Sequence, residues 1–244
     1  MKVPSFALGR PLFVLALATG LLAGCGGGGS SGGAAIVTEA SPYLTYAETM
    51  PVGALPGSNA VLMNVNGALS ISDAAFGTVN LVPDGQGGYK SSPPFTDIVV
   101  SGAVGQPVIG LCQKNAATGF VDSKFLLLPQ RAVRVTNAAD LAGVNFSVAA
   151  GAIAGCDPTD TAFSFKFKAD GSLDNESVDE DGDPDIDNYS PAQTAQLLNA
   201  TLSDGEASIA IRVYKAADGR FLLIGESMDL DHPGATEYTW LWSR

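Results

Sequence analysis

The chain has 244 residues, 13 Lys and Arg against 25 Asp and Glu, and one His, for a formal net charge of −12. That balance disfavours nucleic acid as a partner, because phosphates are held by clustered cations, and it disfavours anionic lipid surfaces too. The charged fraction of 16% is below the roughly 25% of ordinary soluble domains, and small polar residues fill the difference, as suits an exported β-protein.

Lys2 and Arg10 precede an uncharged run of 14 residues from Pro11 to Gly24. Crossing a bilayer takes about 20 apolar residues. The segment therefore reads as a cleavable export signal with charged, apolar and small-residue parts. Leu22-Ala23-Gly24-Cys25 matches the lipobox residue for residue, and over residues 1–25 the chain resembles the bacterial lipoproteins. The resemblance implies that residues 1–24 are removed and that Cys25 carries a diacylglyceryl group on its sulfur, often with a further acyl chain on its freed amine. Gly26 stands where an aspartate would favour inner-membrane retention, which implies an outer-membrane lipoprotein facing the periplasm or the cell exterior. Each buried methylene adds about 0.8 kcal/mol, so two or three chains hold firmly where one holds marginally.

Residues 25–35 are then the lipidated cysteine and a tether, Gly26–Ala35, whose side chains bury nothing. Ten Gly/Ser-type residues reach about 17 Å. Losing Lys2 and Arg10 leaves 11 basic residues against 25 acidic, a mature balance of −14.

Residues 36–244 form the body. Short apolar and β-branched runs recur between Gly, Pro, Asp and Asn. Strands are predicted at Ala60–Val65, Gly77–Val82, Thr96–Val100, Val108–Cys112, Phe120–Leu128, Ala132–Val135, Val144–Ala149, Ala162–Lys168, Ala207–Lys215, Phe221–Glu226 and Glu237–Trp242. Phe163, Phe165 and Phe167 alternate with Ser164, Lys166 and Lys168, and Ile209, Ile211 and Val213 share a face opposite Arg212 and Tyr214; both patterns mark a sheet with one face on a core. Asp84-Gly85, Asp170-Gly171, Asp204-Gly205 and Asp218-Gly219 fall at strand ends, the last predicting a hairpin. Ser190-Pro191-Ala192-Gln193 supplies a capping serine, a first-turn proline and a reciprocal glutamine, so a helix should run from there to near Ala200. Asn137–Leu141 suits a single turn, and 137–143 is the candidate boundary between two β-subdomains. The fold class is all-β, mainly antiparallel, a sandwich or barrel, with one or two short helices.

With Cys25 lipidated, Cys112 and Cys156 remain as an even pair in an oxidising compartment and are expected to form a disulfide. Nine acidic residues lie between Asp170 and Asp187, with no Lys or Arg among them. Asp179, Asp181, Asp183, Asp185 and Asp187 alternate around Gly182, and hard cations take oxygen ligands from loops of this composition. The segment resembles the aspartate-rich loops of thrombospondin type 3 repeats and the EF-hand, which implies Ca2+ at these five aspartates. Ser177 and Asn188 stand where the EF-hand has its first aspartate and its bidentate glutamate. The alternative is a solvated acidic loop kept open by self-repulsion.

Glu226-Ser-Met-Asp229-Leu-Asp231-His232 reads as a polar inter-strand loop, with too few ligands to argue for a metal. Tyr238, Trp240 and Trp242 share one strand face, and core packing is the expected use of such large aromatics. The chain has no G-x-S-x-G, H-E-x-x-H, Walker or dinucleotide-binding motif. The leading expectation is a lipid-anchored, non-catalytic envelope module that binds a protein or glycan. The alternatives are a carboxylate-dependent enzyme acting on envelope polymers, which leaves no local signature, and a purely structural envelope component.

Overall fold

The structure, a computed structural model, describes residues 37–65, 68–74, 77–83, 89–91, 98–101, 108–114, 121–129, 131–156, 159, 161–178, 183–203, 205, 207–230 and 236–243. Cys25 and its tether, Asp84, Gly85, Asp179, Asp181, Asp231 and His232 lie outside the described residues.

Eight strands follow one another as an antiparallel meander: β1 (Val37–Ala47), β2 (Ser58–Val65), β3 (Ala68–Asp73), β4 (Gly77–Pro83), β5 (Tyr89–Ser91), β6 (Ile98–Ser101), β7 (Ile109–Lys114) and β8 (Val121–Pro129). β8 pairs back onto β1, Leu44 opposite Leu128 and Tyr46 opposite Leu126, so the sheet closes into a barrel without a free edge. Alternation turns Tyr43, Leu62, Ile71, Val79, Leu111 and Leu127 into its core. The outward face of β3 and β4 carries Ser70, Ser72, Thr78 and Asn80 beside Ala68 and Val82.

From β9 (Val133–Val135) onward the strands belong to two other antiparallel sheets. One runs β10 (Asn145–Val148), β11 (Phe163–Phe167), β12 (Leu173–Val178), β13 (Pro184–Tyr189). The other runs β14 (Leu202–Ser203), β15 (Ala207–Lys215), β16 (Phe221–Asp229), β17 (Glu237–Trp242), with β9 also on β15. The change of sheet falls between Pro129 and Val133. The molecule is thus all-β, a barrel beside a sandwich, and among the described residues it has one helix, α1 (Pro191–Asn199), and a 3-10 turn at Ala138–Leu141. The helix starts as its sequence predicts: Ser190 Oγ accepts from Gln193 N, Gln193 Oε1 accepts from Ser190 N, and Pro191 opens the first turn.

The β14–β17 sheet is the middle layer. Ile209, Ile211, Val213, Leu223 and Leu241 pack on one side against Phe146, Phe165, Leu173 and the helical Leu197. Tyr214, Leu222, Ile224 and Tyr238 pack on the other against the barrel wall at Leu44, Tyr46, Leu126 and Leu128. The single buried face expected of β15 is corrected by this arrangement, because the barrel covers the face carrying Arg212 and Tyr214. Tyr238 is buried and Trp240 and Trp242 are partly buried in the same seam, the packing use expected of them. Cys112 on the barrel strand β7 and Cys156 in the β10–β11 connection lie at disulfide distance, with Cα atoms 5.7 Å apart, and so link the two units.

The acidic stretch departs from the expected loop. Much of it is the β12–β13 hairpin, in which Leu173 opposes Tyr189 and Asn175 opposes Asp187. Its acids find cations on and just after β11: Lys166 pairs with Glu176, and Lys168 Nζ lies 2.6 Å from Asp174 Oδ1. Cross-strand pairing of this kind offsets the self-repulsion that makes the segment read as a loop.

Candidate functional site

The seam between barrel and sandwich holds the densest set of buried polar groups among the described residues. It begins with the connection after β1. Met50 N donates to Ala47 O at 2.9 Å and Ala54 N to Pro51 O at 3.0 Å, turns that fold the chain back and leave Gly53 at φ +85°, a conformation open to glycine. Gly53 thereby presents both its peptide groups to the middle sheet. Its N–H donates to Glu226 Oε2 at 2.6 Å, and its carbonyl accepts from Arg212 Nη2 at 2.7 Å.

Arg212 and Glu226 come from β15 and β16 and are 0% and 1% exposed. Arg212 Nη1 also donates to Leu197 O at 2.9 Å and Ile211 O at 3.1 Å, and Nη2 to Ala200 O at 3.2 Å. The last turn of α1 has no basic residue of its own, so its exposed carbonyls draw cations from the sheet. Arg134 on β9 supplies a second, donating from Nη2 to Leu198 O at 2.7 Å.

Burial pushes the Glu226 carboxyl up, against the opposing pull of the Gly53 N–H and the charges of Arg212 and Arg134. The hydroxyls of Tyr46 and Tyr214 hydrogen-bond to each other across the seam. Burial raises both phenols and that of Tyr238, whose hydroxyl donates to Ala47 O at 2.9 Å. Thr236 N donates to Glu48 O at 2.8 Å and Thr236 Oγ1 to Met50 O at 2.5 Å, while Glu48 pairs with Lys124 at 2.6 Å.

Chemically the arrangement is a lock. Arg212 and Glu226 are sealed from solvent and committed to backbone groups of the β1–β2 connection and the helix end, so what they fix is the position of one unit on the other. Of the polar cluster read from sequence as an inter-strand loop, Glu226, Ser227, Met228 and Asp229 instead continue β16, and Glu226 faces the seam. Arg212, Gly53 and Tyr46 were not singled out as site residues by sequence; an arginine inside the apolar run ASIAIRVYK is the one local signal.

Asp185 and Asp187 lie on the same face of β13, with Asp183 just before the strand. Residues two apart on an extended strand are about 7 Å apart, too far for these two alone to wrap one ion. Burial and the neighbouring Asp185 raise the Asp187 carboxyl. Among the described residues no group of three or more His, Cys, Asp or Glu is placed to hold a metal. Asp179 and Asp181, the other two expected ligands, lie outside them. No helix among the described residues is long and apolar enough to cross a membrane. Comparison with protein-family models, with curated proteins and with solved structures returns no match.

Proposed function

We propose that the chain is a lipid-anchored envelope lipoprotein of the outer membrane whose β-rich body is a non-catalytic binding or interaction module. The observation that carries this reading is Leu22-Ala23-Gly24-Cys25 followed directly by the tether Gly26–Ala35. The body supports it by being a rigid block: barrel and sandwich are held by apolar packing, by the Arg212–Gly53–Glu226 lock and by the cysteine pair, which suits a module that presents a fixed surface from a flexible lead. The test is Cys25→Ser. The variant should leave the membrane fraction or accumulate as an uncleaved precursor, because only the thiol accepts the lipid; mass spectrometry of the native protein finding an unmodified Cys25 overturns the anchor. Hydrolysis of an envelope glycan, abolished by one Asp or Glu substitution, would make it an enzyme instead.

The same reading assigns calcium to the acidic hairpin, with Asp179, Asp181, Asp183, Asp185 and Asp187 as ligands. Its support is the raised Asp187 carboxyl, pushed up by burial and then by the neighbouring Asp185, the second of which a divalent ion would relieve.

A further inference from the structure

We infer that the end of the middle sheet at the β15–β16 turn is a docking surface for anionic lipid headgroups, which lays the body against the bilayer that holds its tether. The inference rests on the lipid anchor proposed above. Adjacent strands gather cations at this end: Val133 on β9 opposes Lys215 on β15, and Lys215 opposes Phe221 on β16. Arg131 stands two residues before Val133, and Arg220 leaves the turn one residue before Phe221. Arg131, Lys215 and Arg220 are all exposed. The Arg220 guanidinium lies 4.6 Å from the centre of the Trp242 ring, and its Nε donates to Asp218 Oδ2 at 2.8 Å. The Lys215 ammonium lies 5.6 Å from the Phe221 ring. Val133, 66% exposed, adds an apolar contact among them. Cationic heads on aromatic and aliphatic supports suit the boundary between water and headgroups. Arg220 on Asp218, like Lys166 and Lys168 on their acids, adds no net charge, so the positive charge of this end is that of Arg131 and Lys215.

β1 begins toward the same end. Tyr238 reaches Ala47 at the close of β1, Tyr46 meets Tyr214, and Tyr43 pairs with Pro129, two residues before Arg131. Read backward from Ala47 to Val37, β1 therefore runs as β15 runs forward to Lys215, toward the turn. The acidic hairpin points the other way. Phe146 bridges Ser243 antiparallel, so β10 leaves that bridge running away from the turn. Val148, Phe163, Ser177 and Asp185 share the next row out, and Val178 opposite Pro184 lies beyond it.

This polarity reconciles the surface with a net charge that, taken whole, opposes anionic lipid. A nine-residue strand such as β15 spans about 30 Å, several times the roughly 8 Å screening length of physiological salt. Headgroups at the turn are thus screened from Asp183 and Asp185 at the far end, whose repulsion favours the same orientation, while Asp218 in the turn is offset by Arg220.

The test imposes the anchor chemically, so that it can fail independently of lipidation in the cell. The chain from Cys25 onward is coupled through that thiol to maleimide-bearing lipid, Cys112 and Cys156 being paired with each other. Trp240 and Trp242 are the only tryptophans and both lie in β17, so their fluorescence reports approach to nitroxide-labelled headgroups. Quenching should be about twofold greater in vesicles containing one-third phosphatidylglycerol than in phosphatidylcholine alone. The excess should vanish near 1 M salt, where the screening length is about 3 Å. Arg131→Glu with Lys215→Glu should also abolish it while leaving the Arg220–Trp242 stack and the melting temperature in place. Equal quenching of the wild type in the two vesicles, or an undiminished excess in the folded variant, overturns the inference.

Discussion

Arg212 and Glu226 face each other on adjacent strands with Nε and Oε1 3.6 Å apart, too far for a hydrogen bond, and the bonds they do make go to backbone. The two partners are therefore not equivalent. Arg212→Met leaves a buried carboxylate with little besides the Gly53 N–H and should cost about 3–5 kcal/mol. Glu226→Gln keeps an acceptor for Gly53 and all the carbonyl partners of Arg212, and should cost about 1 kcal/mol. Urea unfolding measures both; equal losses would mean that the ion pair, not the backbone scaffold, carries the lock. The pH dependence follows from the raised Glu226 carboxyl. A raised folded value contributes stability that is present below the ordinary 4.5 and lost as pH rises through the folded value. The stability of the wild type relative to Glu226→Gln should accordingly fall between acid and neutral pH.

Gly53 is constrained on every side. A Cβ there would meet Thr201 Cγ2 at 2.7 Å and Arg212 Nη2 at 3.0 Å, at φ +85°. Gly53→Ala should destabilise by about 2 kcal/mol, from left-handed strain and displacement of the guanidinium. Gly57→Ala is the control from the same connection: its Cβ meets nothing within 4 Å, and its φ is not left-handed. Thermal melts in which the two substitutions cost the same would show that the seam does not grip Gly53.

How much of this is legible in sequence depends on whether the cause is local. The capping box at Ser190, the Asp218-Gly219 turn and the alternation of Phe163, Phe165 and Phe167 each depend on neighbours a few positions away, and each is where it is expected. β1 is missed because its successive residues serve two apolar layers, Tyr43 the barrel and Leu44 and Tyr46 the seam, which erases the period of two. β12 and β13 read as an acidic loop because the lysines that quiet them, Lys166 and Lys168, sit on β11 and just after it. The lock is least legible, since Gly53 and Arg212 are 159 positions apart and nothing in either neighbourhood names the other.

The shared hydrogen bond of Tyr46 and Tyr214 makes a prediction of its own. Phenols raised by burial contribute stability that is present below the ordinary value of 10 and lost as pH climbs toward the folded one. In an alkaline absorbance titration Tyr46, Tyr214 and Tyr238 should stay silent where ordinary tyrosines ionise, and appear together with cooperative unfolding. Tyr46→Phe strands the Tyr214 hydroxyl and should cost about 1–3 kcal/mol, whereas Phe at both positions should cost less than the two single losses added. Ionisation of these phenols ahead of unfolding would show that water reaches the seam.

Calcium binding by the acidic hairpin rests on what like charges do at close range. Asp185 and Asp187 share one face of β13, and the second is raised by burial and by the first. The strand spacing keeps these two from closing on an ion alone, so a site must recruit Asp179, Asp181 and Asp183 from the connection before it. An ion bound there removes repulsion and adds folding stability by linkage, about 2.7 kcal/mol at 100 times the dissociation constant. Millimolar calcium should therefore raise the melting temperature more than sodium chloride of equal ionic strength, a control needed because screening also relieves repulsion. Magnesium should do less, since it demands a tighter octahedral shell and sheds water reluctantly. Asp181→Asn with Asp183→Asn should erase the calcium-specific rise. If calcium does no more than sodium chloride, or the rise survives both substitutions, the hairpin binds no ion and its acids are held by Lys166 and Lys168 alone.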